Sequence, residues 1–432
     1  MLVALVVSSI TCLGVILTSI FNIHFPFKHK DIHVYWMFAL LGAVLILTTS
    51  LSFTDWWKAL IKSDGINPIQ ILILFLSMSL ISIFLDEVGF FAHLANWTLK
   101  RVKGSQISLF IVLNIFVAIL TMFTSNDIII LTLTPFILLF CKHAKISPIP
   151  YLVSEFIVAN TWSMIFIIGN PTNIYLASSF GIAFIDYFKV MAVPTLFTGI
   201  SEFLVVFWLF RKQLKAPLQP TEMTLEKQNT SLTIIGLVIL GICTIFLVIS
   251  GYFSMPMYLI SAVSLGILVL VSLAYFLVKR RKPTELGHTF LRAPYEIIPF
   301  VIGMFTIVLA LEKFGVTESI AKFFGNGGTT YIYGFSSAFS ANLVNNIPMS
   351  VLYSSFCNFT DPVIRNRAIF SSIIGSNIGA FISPLGALAG IMWLSILKKH
   401  GVKYRYLDFL KYGLIVGVPA LLVALSSLLI FV

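Results

Sequence analysis

The chain has 432 residues, of which 58% are hydrophobic and only 10% are charged, and its mean hydropathy is +1.00. A soluble domain carries about a quarter charged residues, so this composition excludes a soluble protein and predicts a multi-pass protein of the cell membrane. The net charge of +11 comes from basic residues in short loops between apolar runs. Orientation signals lie in such loops, which argues against a nucleic-acid partner.

Ten apolar segments have about the 20 residues that a helix needs to cross a bilayer. Residues 1–23 are interpreted as the first of them rather than as a signal peptide, because they lack a basic start and a small-residue cleavage site. The ten predicted spans are 1–23, 34–52, 68–86, 149–180, 187–210, 231–250, 256–278, 293–312, 366–397 and 408–430.

Two further apolar segments, 106–141 and 329–357, each contain a polar break. The second would form two arms of about 14 residues, each rising only about 21 Å, whereas the hydrocarbon core is about 30 Å thick. A re-entrant hairpin is therefore predicted for 329–357. The first segment is long enough for a hairpin or for two full spans, and we favour a hairpin because its counterpart is one.

The basic residues predict the sidedness of the chain. With both hairpins re-entrant and the N-terminus outside, 21 of the 28 lysine and arginine residues fall in cytoplasmic loops. This bias agrees with the positive-inside rule and predicts that both termini face away from the cytoplasm.

The order of segments repeats: five spans and a hairpin occur twice, in residues 1–215 and 231–432, joined by a cytoplasmic linker at 216–230. An odd number of crossings turns the second copy upside down. The run Leu85–Gly89 is echoed by Leu311–Gly315, and each half has a long span with a break. The predicted fold class is an all-α polytopic membrane protein of two inverted repeats with broken helices at the midplane, as in many secondary transporters. The chain is not predicted to be an enzyme.

The four polar breaks predict the substrate site, because irregular backbone at membrane depth is tolerated only where it is buried or lines a wet cavity. The alternative is that the asparagines only hold helices together. The predicted substrate-binding residues are Ser125, Asn126, Asn160, Asn170, Pro171, Thr172, Asn173, Asn345, Asn346, Ser376, Asn377, Ser383 and Pro384.

Asp127 is the only acid in any of the four breaks, and it is predicted to couple transport to a proton or another ion. Burial disfavours the charged form of a carboxyl group, which suits proton carriage. The alternative is an ionised cap of the second hairpin arm. No metal centre or catalytic residue is predicted, and no cofactor is expected beyond H⁺ or Na⁺ as the coupling ion. No glycine-rich nucleotide loop ending in Gly-Lys-Ser/Thr is present, which argues against ATP hydrolysis by this chain.

Four motifs carry a resemblance to a known family. They are FLDEVGFF at 84–91, TSNDIIILTLTP at 124–135, NLVNNIP at 342–348 and GSNIGAFISPLGALAGIMW at 375–393. Over nearly its whole length the chain resembles the ion transporter superfamily, and within it the ArsB-type arsenical pump membrane proteins. The resemblance implies efflux of arsenite or antimonite in exchange for protons.

The chain departs from that family pattern at three places. Asn160 and Asn377 stand where typical arsenite pumps tend to carry Asp, and Phe381 stands where a Lys is common. The break at 169–173, GNPTN, looks more like the divalent anion/sodium symporter branch. Sodium-coupled transport of a carboxylate or inorganic anion is therefore the alternative, and a channel is a third hypothesis that two inverted halves disfavour.

The predicted partners are a small-molecule or ion substrate and the lipid bilayer. The sequence leaves open a homodimer and a separate ATPase subunit, and it does not name the substrate.

Overall fold

The computed structural model describes residues 2–20, 23–27, 30–61, 67–99, 104–218, 229–250, 253, 255–324, 327–359 and 361–432. These residues are mostly helical, which confirms that the protein is all-α, as predicted. One small addition is an antiparallel pair of strands, β1 (His24–Phe27) and β2 (Lys30–His33), between the first two helices.

The first half of the chain contains ten helices. They are α1 (Leu2–Ile20), α2 (Tyr35–Thr49), α3 (Phe53–Ile61), α4 (Pro68–Glu87), α5 (Phe90–Leu99), α6 (Gln106–Phe123), α7 (Asn126–His143), α8 (Ile149–Trp162), α9 (Pro171–Ser179) and α10 (Phe184–Phe210).

The second half contains ten helices in the same order of long and short elements. They are α11 (Thr230–Ile249), α12 (Met257–Val278), α13 (Thr284–Arg292), α14 (Ile297–Lys313), α15 (Val316–Phe324), α16 (Thr329–Val344), α17 (Asn346–Phe356), α18 (Pro362–Gly379), α19 (Leu388–Lys399) and α20 (Tyr406–Leu428).

Eight helical segments in the described ranges are long and apolar enough to cross a membrane. Large apolar side chains on their outer faces are exposed, such as Leu270 at 68% and Ile245 at 62%. A surface of this kind suits lipid rather than water. The prediction of a multi-pass membrane protein is confirmed.

Four short helices were not predicted from the sequence, because α3, α5, α13 and α15 have only 9 or 10 residues each and are too short to span. Two of them explain the echo noticed in the sequence. Gly89 separates α4 from α5 with φ +83°, and Gly315 separates α14 from α15 with φ +70°. A left-handed glycine is a common helix stop, so the echo marks the same turn in both halves.

Helices of each half pack against helices of the other half. Helix α2 packs against α14, and its counterpart α12 packs against α4. In the same way α7 packs against α19, whereas α17 packs against α9, and α10 packs against α20. This exchange is what a pseudo-two-fold relation between the halves produces. The opposite orientation of the halves in the membrane stays a prediction from the charge distribution.

Contacts between helix ends join regions that the charge distribution places on the same side of the membrane. The Arg292 guanidinium pairs with Asp86 at 2.7 Å and also with Glu87, all at predicted cytoplasmic ends. On the other side, Lys313 Nζ donates to Ser50 O at 3.2 Å. The predicted linker lies mostly outside the described residues.

The two predicted hairpins differ in length. Helices α6 and α7 have 18 residues each and rise about 27 Å, so length alone also fits two full spans. Helices α16 and α17 have 16 and 11 residues, and α17 rises only about 17 Å. The depth of the hairpin tips therefore has to be judged from what they contact.

Candidate functional site

Four breaks in helical structure lie where the sequence predicted them, and each is followed by a new helix. The hairpin tips are Thr124–Ser125, before α7, and Asn345, before α17. The breaks within spans cover 163–170, before α9, and 380–387, before α19. Asn345 has φ +75° and ψ 156°, a conformation that residues other than glycine rarely adopt.

Both hairpin tips contact the middle of a broken span. Asn126 Nδ2 donates to Asn160 Oδ1 at 2.9 Å, and Asn160 lies near the end of α8, halfway along the predicted span 149–180. At the other tip, Asn346 N donates to Gly386 O at 3.1 Å and Asn345 Nδ2 donates to Leu385 O at 3.3 Å. These contacts favour re-entrant hairpins in both halves.

Asn377 makes four hydrogen bonds, three of which connect the two halves. Its Oδ1 accepts from Ser163 Oγ at 3.0 Å and from Asn170 Nδ2 at 2.8 Å. Its Nδ2 donates to Asn173 Oδ1 at 2.7 Å and to Ile373 O at 2.8 Å. Every donor and acceptor of this amide is therefore used, and three of the four partners belong to the first half of the chain.

Ser163 extends the network to the first hairpin. Its hydroxyl also lies 2.7 Å from Asn160 O, so polar contacts run from Asn126 through Asn160 and Ser163 to Asn377. We call the six residues that these bonds join the amide network. Its members, all less than 1% exposed, are Asn126, Asn160, Ser163, Asn170, Asn173 and Asn377.

The four helices that begin at the breaks differ in how their first N–H groups are satisfied. Asn170 Oδ1 caps α9 by accepting from Thr172 N at 3.1 Å, and Asn345 Oδ1 caps α17 by accepting from Ile347 N at 3.4 Å. The residues before α7 and α19, Ser125 and Ala387, make no side-chain cap. Helices α7 and α19 pack against each other, so two uncapped positive helix ends belong to one packed pair.

Asp127 lies in the first turn of α7. Within the described ranges no salt bridge to its carboxylate is found. It interacts electrostatically with Tyr35 of α2, which also lies within range of Glu296. A carboxylate here benefits from the positive end of α7, and no described residue forms a salt bridge with it.

Among the remaining predicted site residues, Thr172 Oγ1 donates to Asn170 Oδ1 of the amide network at 3.1 Å. Pro171 is the first residue of α9. Ser383 Oγ accepts from Leu385 N at 3.3 Å and shapes the second break, where Pro384 is also buried. Ser376 is buried, and its hydroxyl has no hydrogen-bond partner among the described residues.

Two polar residues of this region were missed by the sequence analysis. Ser163 lies one turn after Asn160, and this proximity to a predicted site residue was the signal for it in the sequence. Asn342 lies one turn before the second tip, and its Nδ2 donates to Ala338 O at 2.8 Å and Gly379 O at 2.9 Å. Asn342 is the first residue of the NLVNNIP run, and its place in that run was the only indication in the sequence that it belongs to the site.

Small residues bring the backbones around the second break into close contact. A Cβ on Gly386 would lie 2.4 Å from Gly379 O, and one on Gly375 would lie 2.2 Å from Gly334 O. Helices α16 and α18 approach closely for this reason, as small residues permit in membranes. Close backbone packing and asparagine side chains therefore both hold the second break.

Comparison with known proteins places the chain in a family. Residues 11–432 match the family model ArsB, described as arsenical pump membrane protein. The arsenical pump membrane protein of Escherichia coli strain K12 is 29% identical over 430 residues, covering 92% of this chain and 94% of that protein. The putative arsenical pump membrane protein of Bacillus subtilis strain 168 is 25% identical over 422 residues, covering 90% and 93%.

Two solved structures share the fold. The YdaH transporter of Alcanivorax borkumensis superposes with a TM-score of 0.60 at 12% identity, covering 100% of this chain and 97% of that one. MtrF of Neisseria gonorrhoeae, from a class described as antimetabolite efflux pumps, gives a TM-score of 0.56 at 12% identity, covering 99% and 95%. The resemblance inferred from the motifs is confirmed: the chain belongs to the ArsB family of arsenical pump membrane proteins, and it is a multi-pass membrane transporter.

Proposed function

We propose that the protein exports arsenite or antimonite across the cytoplasmic membrane in exchange for protons. The observation that carries this proposal is the amide network, which joins both halves at the breaks and contains no charged side chain. Amides offer both donors and acceptors, as a neutral oxyacid with several hydroxyl groups requires. The names of the relatives point to the same substrate class.

The absence of basic residues from the four breaks also favours a neutral substrate. No lysine or arginine occurs in 124–127, 163–173, 345–348 or 380–387. A multiply charged anion would have to be compensated by helix ends alone, and burying such a charge without a partner is costly. Arsenous acid is uncharged at neutral pH and avoids this cost.

Asp127 is the group that we assign to proton coupling. It lies beside Asn126, which holds the first tip to α8, so a change in its charge acts directly on the tip. Its counterpart in the second half is Ile347, if Asn126 is matched with Asn346. Only the first half therefore supplies an acid at a tip.

A second candidate function is sodium-coupled transport of a carboxylate or inorganic anion. Asn126 Oδ1 is buried and has no hydrogen-bond partner in the described part of the chain. An amide oxygen close to a carboxylate is the kind of hard ligand that a small cation such as Na⁺ prefers.

Uptake into everted vesicles separates the two functions. An acidic vesicle interior should drive arsenite inward, because protons leave by exchange, and Na⁺ should have no effect. Vesicles with Asp127→Asn should lose this gradient-driven uptake and serve as the matched control. Succinate movement that requires Na⁺, with no arsenite uptake under a pH gradient, would replace the first proposal with the second.

A further inference from the structure

A second buried carboxyl group lies outside the amide network. Glu155 of α8 is only 2% exposed. It precedes Asn160 by five residues, about 7.5 Å along the helix axis. The charge distribution places the start of α8 at the cytoplasmic face, so Glu155 lies between the amide network and the cytoplasm.

The neighbours of Glu155 are neutral. Thr134 Oγ1 of α7 lies 3.1 Å from Oε1 and 3.0 Å from Oε2. The Trp393 indole N–H of α19 also faces this carboxyl but forms no hydrogen bond with it. No salt bridge to Glu155 is found in the ranges that the structure describes. An isolated carboxylate is expensive at this depth, and binding of a proton neutralises it.

A small cavity of about 10 Å³ lies beside Glu155, between α6, α7 and α8. Its polar lining consists of Asn114, Tyr151, Ser154 and Glu155, and its other lining residues are apolar. Ser154 Oγ donates to Asn114 Oδ1 at 2.8 Å, and Tyr151 OH donates to the side chain of Gln106 at 3.0 Å. Gln106 is the first residue of α6, so polar groups line the way from Glu155 to that end. Tyr151 is the titratable group that faces Glu155 across this cavity.

We propose that Glu155 is a second proton-binding carboxyl group of the transport cycle, which exchanges its proton with the cytoplasm through this polar cavity. The proposal rests on the proton exchange of the proposed function. A proton that has left Asp127 binds the Glu155 carboxylate, and the resulting acid releases it toward Tyr151 and the cytoplasm.

The position of Glu155 also explains how its charge would affect the two halves. Its partners lie on α7 and α19, the packed pair whose uncapped N-termini border the breaks. Loss of the proton turns Glu155 into an acceptor only, which strengthens its hydrogen bond from Thr134 and attracts the Trp393 N–H, drawing these helices together. When Asn160 is aligned with Asn377, the position in the second half that corresponds to Glu155 is Ser372. A carboxyl group at this position therefore occurs only in the first half.

Infrared spectroscopy of the reconstituted protein tests proton binding without relying on transport. A pH titration should show a C=O stretch of the protonated Glu155 carboxyl group, a band that is lost in Glu155→Gln and kept in Glu202→Gln. Glu202 of α10 is a suitable control because it is 1% exposed but does not line the cavity. Thr134→Val, which removes a hydroxyl donor from the carboxylate, should keep the band to a higher pH.

Transport by the same variants supplies the second measurement. Glu155→Gln should still exchange arsenite but show a flattened dependence of gradient-driven uptake on cytoplasmic pH. Full loss of folding in Glu155→Gln leaves the Thr134→Val shift to decide the point. An unchanged infrared spectrum in Glu155→Gln, or no shift in Thr134→Val, would overturn the proposal. Failure of the wild type to couple arsenite to protons would overturn the proposed function, while the infrared band would still decide whether Glu155 binds a proton.

Discussion

Replacement of Asn377 by aspartate tests the amide network with almost no change in side-chain size. The amide nitrogen donates to Asn173 Oδ1 at 2.7 Å and to Ile373 O at 2.8 Å. In the variant, an oxygen faces both of these acceptors. A buried group left without its partner costs about 1–3 kcal/mol, so we expect the variant to lose about 2–6 kcal/mol of stability from these two groups. That loss is a large part of the ~5–15 kcal/mol that a typical protein has.

Thermal unfolding of the purified protein in detergent measures this effect. Asn358→Asp makes the same chemical change at an exposed position, and there we expect a change within about 0.5 kcal/mol. The reasoning predicts a clearly lower unfolding temperature for Asn377→Asp and loss of arsenite exchange. Equal unfolding temperatures for the two variants would show that Asn377 does not hold the halves together.

Three further variants test separate parts of the structure. Asp127→Asn should abolish uptake driven by a pH gradient while arsenite exchange stays measurable, and unchanged pH and Na⁺ dependence would reduce Asp127 to a helix cap. A cysteine placed at Asn229 should resist impermeant reagents in whole cells, whereas ready labelling would contradict the predicted sidedness. Gly375→Ala should lose about 1–3 kcal/mol in thermal unfolding, because the new methyl group would lie 2.2 Å from Gly334 O. The control Gly266→Ala, with nothing within 4 Å, should be stabilised or unchanged.

The sequence predicted the positions of the four breaks because polar residues interrupt apolar runs, and such interruptions are costly in lipid. It was less accurate about where helices resume. The GNPTN run was predicted as the break itself, yet Pro171 begins α9 and Asn170 caps it. Proline in the first turn and asparagine before it are ordinary helix-start signals, and they identify the boundary once the helix is known.

Long-range partners could not be predicted in the same way. Nothing in the local sequence pairs Asn377 with Asn170, which is 207 residues away. Nor does the local sequence pair Ser163 with Asn377, which is 214 residues away. The ion pair of Arg292 with Asp86 likewise joins helices of different halves, and only the three-dimensional packing brings its partners together.

The packing of first-half helices against second-half helices has a consequence for how the protein assembles during synthesis. When residues up to α10 have entered the membrane, α2 and α4 still lack the partners α14 and α12 that cover them. At this stage Asn170 and Asn173 also lack their hydrogen-bond partner Asn377, and in lipid no water replaces it. The first half must therefore persist as an incomplete bundle until the second half is synthesised. Two fragments separated between residues 218 and 229 should assemble into an active transporter when co-expressed, whereas either fragment alone should be degraded.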